Sequence, residues 1–295
     1  MSAVRLEWAQ FGDFDSFDVI RSNTSMLDVA DANLPSPIAT NLKAMYYVDT
    51  TIVEGATYYY MVRVWRGSES FVSSEILVET TVDAYWQYVS ALLHFDGSDG
   101  SINFTDETGR VWVGFGTPKT KADPSAFGGS SIFLDGTSSL STVSSSDFAY
   151  GLGDFTWEFF VRFSAIKENQ YIIDHSNGSG NGGTLSYYNG SLRYYNTTTG
   201  IYSSLYQTAI PLLVNQRYHI AAERYLGVTT IYVNGIAKAS GSDTHNYGNL
   251  ELWLGRYAQN NSFNFNGYMD ELRITKGLAR YKSEFEPPAK PFLEG

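Results

Sequence analysis

Carboxylate side chains are the first candidates for chemistry in this sequence, because hydrolysis of a glycosidic bond requires a pair of them flanking the bond. On a β-strand alternate residues share a face, so a catalytic pair needs an even spacing along the strand. Glu158 stands alone between Trp157 and Phe159, and Asp270 and Glu271 are adjacent, which places them on opposite faces of a regular strand. The missing pair argues against a glycosidase.

Other catalytic motifs are also missing. No serine has glycine at both the −2 and +2 positions, so the nucleophile motif G-x-S-x-G of serine hydrolases is missing. The 295 residues include no cysteine, which excludes thiol nucleophiles and zinc–thiolate sites. Residues 178–183 match G-x-G-x-x-G but open no predicted helix, so we interpret them as a loop. The histidines lack metal-ligand spacing: His94, His175, His219 and His245. The sequence therefore predicts a protein that is not an enzyme.

Tyrosine is the residue type whose distribution suggests a binding surface. The chain has 22 tyrosines, and the densest group lies in a predicted hairpin at 184–195, where Asn189 and Gly190 favour a tight turn. Of two adjacent tyrosines on a strand, one should pack in the core and the other should face outward. The candidate ligand-binding residues are Tyr187, Tyr188, Arg193, Tyr194, Tyr195, Asn196 and Tyr257, and a second candidate patch comprises Tyr225, Tyr257 and Asn260. A glycan site and a subunit interface both remain open, because aromatic residues and arginine suit either.

The elements that must position these residues are β-strands. Aromatic residues make up 16% of the chain and 27 glycines accompany them, a composition typical of strands joined by frequent turns. In the predicted strand 155–163, four large apolar residues share one face, and the opposite face is mixed, which predicts a partly solvated surface. The sequence therefore predicts an all-β fold.

The chain divides near residue 84 into two predicted domains, residues 1–83 and 84–295. The first carries five basic and 12 acidic residues. Its segment 54–64, with Gly55 and Tyr58, resembles the turn and penultimate strand of fibronectin type III domains, and Trp8 matches their core tryptophan. This resemblance implies a β-sandwich closed by a tyrosine corner at Tyr58.

The second domain carries a longer resemblance. Its matching segments are residues 93–97, 127–131, 134–136, 154–162, 231–235, 265–274 and 277–281. They resemble the concanavalin A-like jelly roll of the laminin-G-like lectin type, as found in bacteriophage structural proteins. The resemblance implies a structural Ca²⁺ held by Asp96, Asp270 and a backbone carbonyl near Gly136. The alternative is that these aspartates accept backbone N–H groups in turns.

The resemblance also implies a function. We expect a non-enzymatic virion protein of a phage tail, tail fibre, baseplate or head decoration, assembled in the bacterial cytoplasm, with the first domain attached to the particle and the second displayed. Expected partners are other virion proteins, copies of itself and host cell-surface polysaccharide. The formal charge of −11 argues against nucleic-acid binding, which requires a basic surface. We find no apolar run long enough to span a membrane, and the N-terminal residues do not have the pattern of a signal peptide. Two alternatives are a purely structural virion protein without a glycan ligand and a diverged polysaccharide-degrading glycosidase.

Overall fold

The computed structural model describes residues 4–53, 56–79, 82–176, 182–198, 201–209, 212–259 and 262–295, with backbone alone at 197–198 and 201–209. The described chain consists of 22 β-strands joined by turns and four short 3₁₀ segments. Within these ranges, no helix is long and apolar enough to cross a membrane. The prediction of an all-β fold is confirmed, because aromatic and β-branched residues stabilise a pleated, half-buried backbone.

Contacts divide the chain into two compact units, residues 1–87 with 293–295 and residues 88–292. The strands of the first unit are β1 (Val4–Glu7), β2 (Ser16–Ser22), β3 (Ala39–Leu42), β4 (Tyr46–Asp49), β5 (Thr57–Arg66), β6 (Glu69–Val72) and β7 (Ile76–Glu79). Strand β1 pairs with β4, and a second sheet has the order β3-β2-β5-β6, with β7 also paired to β5.

The first unit encloses a small apolar core. Leu6, Val19, Tyr58 and Tyr60 are buried in it, and Trp8 packs against them. The backbone N–H of Val53 donates to Tyr58 Oη at 2.8 Å, which ties the loop before β5 to that strand. The assignment of this unit to the fibronectin type III class stays a prediction.

The second unit is a sandwich of two antiparallel sheets. Its strands are β8 (Val89–Leu93), β9 (Val113–Phe115), β10 (Lys119–Ala122), β11 (Ser130–Asp135), β12 (Ser139–Thr142), β13 (Phe155–Phe163), β14 (Asn169–His175), β15 (Gly183–Tyr188), β16 (Ser191–Thr198), β17 (Ile201–Ala209), β18 (Arg217–Tyr225), β19 (Val228–Val233), β20 (Ile236–Ser242), β21 (Leu252–Leu254) and β22 (Asn266–Lys276). One sheet has the order β10-β11-β22-β13-β18-β19-β20, with β8 also on β22, and the other has the order β17-β16-β15-β14-β21-β12-β9.

The core of the second unit lies between the two sheets. Trp157, Phe159, Val161 and Phe163 of β13 all enter it, as their alternation predicts. The prediction of a partly solvated face on the other side of β13 holds only for Arg162, because Thr156, Glu158 and Phe160 are buried there. The segment after β22 covers them: the Tyr281 hydroxyl donates to Glu158, and Phe292 lies 6.3 Å from Phe160 between ring centroids.

A β-bulge corrects the prediction that Asp270 and Glu271 face opposite ways. The pairing register between β13 and β22 shifts between Glu158 and Phe160. Glu271, on the β22 side of this shift, has a positive φ of 51°, which is typical of a bulge. Met269 and Leu272 both enter the core. The two acidic residues between them therefore lie together on the outer face of the sheet.

Candidate functional site

An open cleft of about 580 Å³ lies beside the tyrosine-rich hairpin of the second unit. Its lining combines two aromatic rings, two amides, a lysine, a glutamate and a glycine turn: Tyr188, Phe263, Asn169, Asn264, Lys167, Glu168 and Gly136. These residues come from four places in the chain, namely the β11–β12 turn, the loop into β14, the end of β15 and the segment before β22. A concave site with aromatic walls and a few polar groups is the usual form of a small-ligand site.

Phe263 is the aromatic wall most open to solvent. Its side chain is 46% exposed, although a large apolar residue normally lies inside. Its backbone has a φ of 60°, a left-handed conformation that costs a non-glycine residue about 1–2 kcal/mol. The Phe263 carbonyl accepts from the Tyr171 N–H at 2.8 Å, and the two rings stack with centroids 5.8 Å apart. Tyr171 therefore holds Phe263 in its exposed position.

Tyr188 is the second aromatic residue that lines the cleft. It ends β15 at a turn in which Asn189 and Gly190 both have positive φ, as the Asn-Gly pair predicts. The Asn189 N–H donates to the Glu168 carbonyl at 2.8 Å, which fastens the hairpin to the loop before β14. The guanidinium of Arg193 lies 4.4 Å from the centre of the Tyr188 ring. The ring is thus fixed by its strand, its turn and a stacked cation.

The polar groups of the cleft can serve hydroxyl-bearing ligands. Asn169 Oδ1 is buried at the cleft wall and has no hydrogen-bond partner among the described residues. Lys167 and Glu168 are exposed on the same loop. Lys167 Nζ lies close over Gly136, where a Cβ would come within 2.7 Å of it, and Gly136 has a φ of 85°. The positive φ favours glycine at this turn, whereas the flexible end of the exposed lysine could move away from a Cβ.

The structure divides the predicted ligand residues into three groups. Tyr188 lines the cleft and Arg193 covers its ring, as just described. Tyr195 and Tyr257 lie behind the cleft, where the Tyr195 hydroxyl donates to Tyr171 Oη at 2.5 Å and the Tyr257 ring packs 4.9 Å from Tyr171. These two tyrosines support the wall below Phe263, and burial raises the pKa of Tyr195.

The remaining predicted residues are corrected by the structure. Tyr187 and Tyr194 are buried between the sheets, because the inward positions of β15 and β16 fall on them. Asn196 is also buried and donates to Asp243 Oδ1 at 3.0 Å and to Tyr247 Oη at 3.2 Å. Burial raises the pKa of Tyr194 well above its ordinary value. None of these three side chains is accessible to a ligand in the described structure.

The second predicted patch is not brought together either. Tyr225 ends β18 in the opposite sheet, whereas Tyr257 lies behind the cleft. Asn260 lies outside the described residues.

The predicted metal ligands separate into a pair and an outlier. Phe127 N–H donates to Asp270 Oδ2 at 2.9 Å, and the Asp96 carboxylate lies against the next residue, Gly128. Gly136 is elsewhere: its neighbour Asp135 pairs with Asn266, four residues before Asp270 on β22, or about 13 Å along a strand. The expectation that a carbonyl near Gly136 joins the two aspartates is therefore wrong.

The aspartate pair has the donor chemistry of a Ca²⁺ site, although an arginine shares it. Asp270 Oδ1 is buried without a hydrogen-bond partner among the described residues, and Asp270 Oδ2 accepts from Arg217 at 2.7 Å. Burial raises the pKa of Asp270 to about 8, and the charges of Glu271 and Asp96 add to the rise. Burial also raises the pKa of Asp96. A divalent cation would relieve this crowding of negative charge, since hard oxygen ligands suit it.

Sequence reasoning missed Phe263, Asn169, Asn264 and Lys167. The signal available for Phe263 was a single aromatic residue in the polar run 258–264 between two predicted strands. The other three are ordinary surface types whose importance depends on the meeting of separate loops.

Comparisons with known proteins place this geometry in a fold class. Residues 134–279 match the laminin G-type family model described as the concanavalin A-like lectin/glucanases superfamily. Domain 4 of AbnA, a GH43 extracellular arabinanase from Geobacillus stearothermophilus solved with arabinotriose, is similar at 20% identity and a TM-score of 0.53, over 66% of this chain and 95% of that one. No curated protein matches the chain in sequence.

Botulinum neurotoxin binding domains give a second group of similar structures. The domain of type DC in complex with SialylT has 12% identity and a TM-score of 0.50, over 66% of this chain and 49% of that one. The domain of serotype D/C VPI 5993 has 13% identity and a TM-score of 0.51, over 67% and 51%. This chain thus spans about half the length of those domains. The second unit has the concanavalin A-like, laminin-G-like lectin fold.

Proposed function

We propose that the protein is a non-enzymatic carbohydrate-binding protein and that the cleft between Tyr188 and Phe263 takes the glycan. The observation that carries this proposal is the exposed Phe263 ring, which is held in a left-handed backbone conformation and lines the same cleft as Tyr188. Strained residues of this kind persist where the surrounding structure fixes them, and they cluster at ligand sites.

The chemistry of the cleft agrees with a sugar ligand. A sugar ring presents C–H groups on its faces and hydroxyls at its edge, so it needs an aromatic surface flanked by donors and acceptors. Tyr188 and Phe263 supply the surface, and the amides of Asn169 and Asn264 each offer both a donor and an acceptor. Two fold neighbours were solved with arabinotriose and with SialylT, which supports a glycan on this fold.

A glycan array followed by calorimetric titration of the best ligand tests the proposal. Phe263→Ala and Tyr188→Ala should each weaken binding tenfold or more, because each removes one aromatic wall. Phe115→Ala is the matched control, since Phe115 is 40% exposed on β9, at the far edge of the same sheet. Equal affinity of the wild type and both cleft variants would move the glycan site elsewhere. Release of reducing sugar from any bound polymer would overturn the non-enzymatic assignment.

We further propose that the chain is a phage virion component that binds a host surface glycan. The support is the sequence resemblance of its second domain to phage structural proteins. Many copies on one particle would raise the avidity of a weak site by about 10²–10⁴. Adsorption of the purified chain to bacteria should then fall when surface polysaccharide is stripped, and mass photometry should show a homo-oligomer. Unchanged adsorption would leave the purely structural alternative.

We also propose that Ca²⁺ binds between Asp96 and Asp270. The orphaned Asp270 Oδ1 and the adjacent carboxylates support it, without Gly136. At a free concentration a hundredfold above Kd, the ion would stabilise the unit by about 2.7 kcal/mol. Calorimetric titration of chelated protein should therefore give heat and a higher melting temperature, both lost in Asp270→Asn. No heat in the wild type would refute the site.

A further inference from the structure

Two cations without a carboxylate partner among the described residues lie at the cleft or next to it: Lys167 lines the cleft, and Arg193 lies over the ring of the lining residue Tyr188. Six of the eight arginines in the second unit lie within 4 Å of an Asp or Glu oxygen, and Arg256 donates to backbone carbonyls. Arg193 does neither among the described residues, and its Nε is buried without a hydrogen-bond partner. Residues 177–181, 197–211 and 260–261 contain no Asp or Glu, so they cannot supply a counter-ion.

Arg193 is nevertheless held in place. Its guanidinium lies 4.4 Å from the centre of the Tyr188 ring and 4.9 Å from that of Tyr195. The two tyrosines restrict the position of the guanidinium. Its Nε is buried and the side chain is partly exposed, so its two terminal nitrogens are the donors that a ligand can reach. A fixed guanidinium beside an aromatic wall suits bidentate recognition of a planar or tetrahedral anion.

Lys167 adds a second positive charge on the cleft wall. It is exposed, and no carboxylate of the described residues lies within 4 Å of its Nζ. Glu168 on the same loop contributes one negative charge, so the three groups together carry a net charge of +1. The whole chain has a formal charge of −11, which repels anions at long range. Attraction of an anion must therefore come from this local arrangement.

Resting on the proposed function, we propose that the cleft selects acidic glycans, whose carboxylate, sulfate or phosphate groups are bound by Arg193 and Lys167. The aromatic walls would hold the sugar ring, and the two cations would distinguish a charged sugar from its neutral counterpart. Glu168 opposes the anion and sets an upper limit on the charge density that the cleft accepts.

Matched polymer pairs test the proposal at about 0.15 M salt. Polygalacturonate oligomers are compared with their carboxyl-reduced form, and dextran sulfate with dextran, by calorimetric titration and biolayer interferometry. The acidic member of at least one pair should bind tenfold or more tighter, since hydrogen bonds to charged groups are stronger than neutral ones. Non-specific attraction is a weak alternative explanation, because the protein itself is acidic.

Variants assign the selectivity to the two cations. Arg193→Gln and Lys167→Gln should each lower the ratio of acidic to neutral affinity several-fold, and Glu168→Gln should raise it. Arg193→Gln should also weaken binding of the neutral polymer, because the Tyr188 ring loses its stacked cation. Lys290→Gln, an exposed lysine at a distant position in the sequence, is the control and should change nothing. Melting temperatures check that every variant is folded.

The outcomes separate this proposal from the one it rests on. Equal binding of acidic and neutral polymers, or a preference unchanged in both cation variants, overturns acidic selectivity and leaves the glycan cleft in place. Binding of no polymer, with no hit on a glycan array, removes the glycan cleft and this inference with it.

Discussion

Substitution of Glu158 by glutamine would measure the cost of leaving buried arginines without their counter-ion. The carboxylate of Glu158 is fully buried and lies within 4 Å of two guanidinium groups and an imidazole: Arg273 at 3.0 Å, Arg280 at 3.7 Å and His219 at 3.5 Å. Burial by itself would raise the pKa of Glu158, but Arg273 and the neighbouring cations hold it well below its usual range. The group is therefore an anion at neutral pH.

The expected loss follows from burial and charge. Glutamine has the shape of glutamate, so the substitution opens no cavity. It removes the negative charge and replaces one acceptor oxygen with an NH₂ donor, which then faces the donor Arg273 Nε or Tyr281 Oη. Removing one partner of a buried ion pair costs about 3–5 kcal/mol, because the other charge stays desolvated. A unit of this size loses about 2–4 °C in melting temperature per kcal/mol, so Glu158→Gln should melt about 6–20 °C lower.

Differential scanning calorimetry measures this loss, provided that the transition of the second unit is followed separately. The control is Asp147→Asn, which breaks a 2.5 Å contact with Arg110 at a carboxylate that is 54% exposed and should cost about 1 kcal/mol or less. If Glu158→Gln lowers the melting temperature no more than Asp147→Asn does, the buried-charge argument is refuted.

Three further predictions concern other buried groups. Burial lowers the pKa of His175 to about 3, so between pH 6.5 and pH 3 the imidazole is protonated in the unfolded chain but neutral in the folded one. As the pH falls from neutral to 5, this difference should lower the free energy of unfolding by about 2 kcal/mol. His175→Phe should remove this part of the acid loss in urea unfolding at pH 7 and pH 5, and equal losses would contradict it. Gly128→Ala, at a φ of 67° and with its Cβ against the Asp96 carboxylate, should cost about 1–2 kcal/mol and weaken calorimetric Ca²⁺ binding, whereas unchanged affinity would exclude Asp96 as a ligand. Tyr171→Phe removes the hydrogen bond that the Tyr195 hydroxyl donates to Tyr171 Oη and should cost about 0.5–1.5 kcal/mol in thermal unfolding, and an unchanged melting temperature would show that the bond contributes nothing.

Local patterns in the sequence predict much of this fold. The alternation around Trp157 gives the inward face of β13, and Asn189-Gly190 gives the hairpin that carries Tyr188. Both succeed because strand facing and turn conformation depend on residues close together in the chain.

Features set by distant residues are not predicted. Glu158 is buried because the segment after β22 folds over it, and Glu271 faces outward because a bulge changes the period of its strand. The cleft depends on the meeting of loops from four parts of the chain. Among its lining residues, only Tyr188 and Gly136 belong to patterns that the sequence makes visible, and the resemblance assigns Gly136 to a metal site. The exposure of Phe263 depends on its contact with Tyr171.

The position of β22 has a consequence for biosynthesis. This strand pairs with β11, β13 and β8, so three strands made earlier share a partner that the ribosome adds near the end of the unit. At about 5–20 residues per second, the earlier strands wait on the order of ten seconds with unpaired edges. Such edges are templates for pairing with other chains. The unit therefore completes its folding only after β22 is made, and the yield of native protein in a cell depends on how well those edges are shielded in the interval.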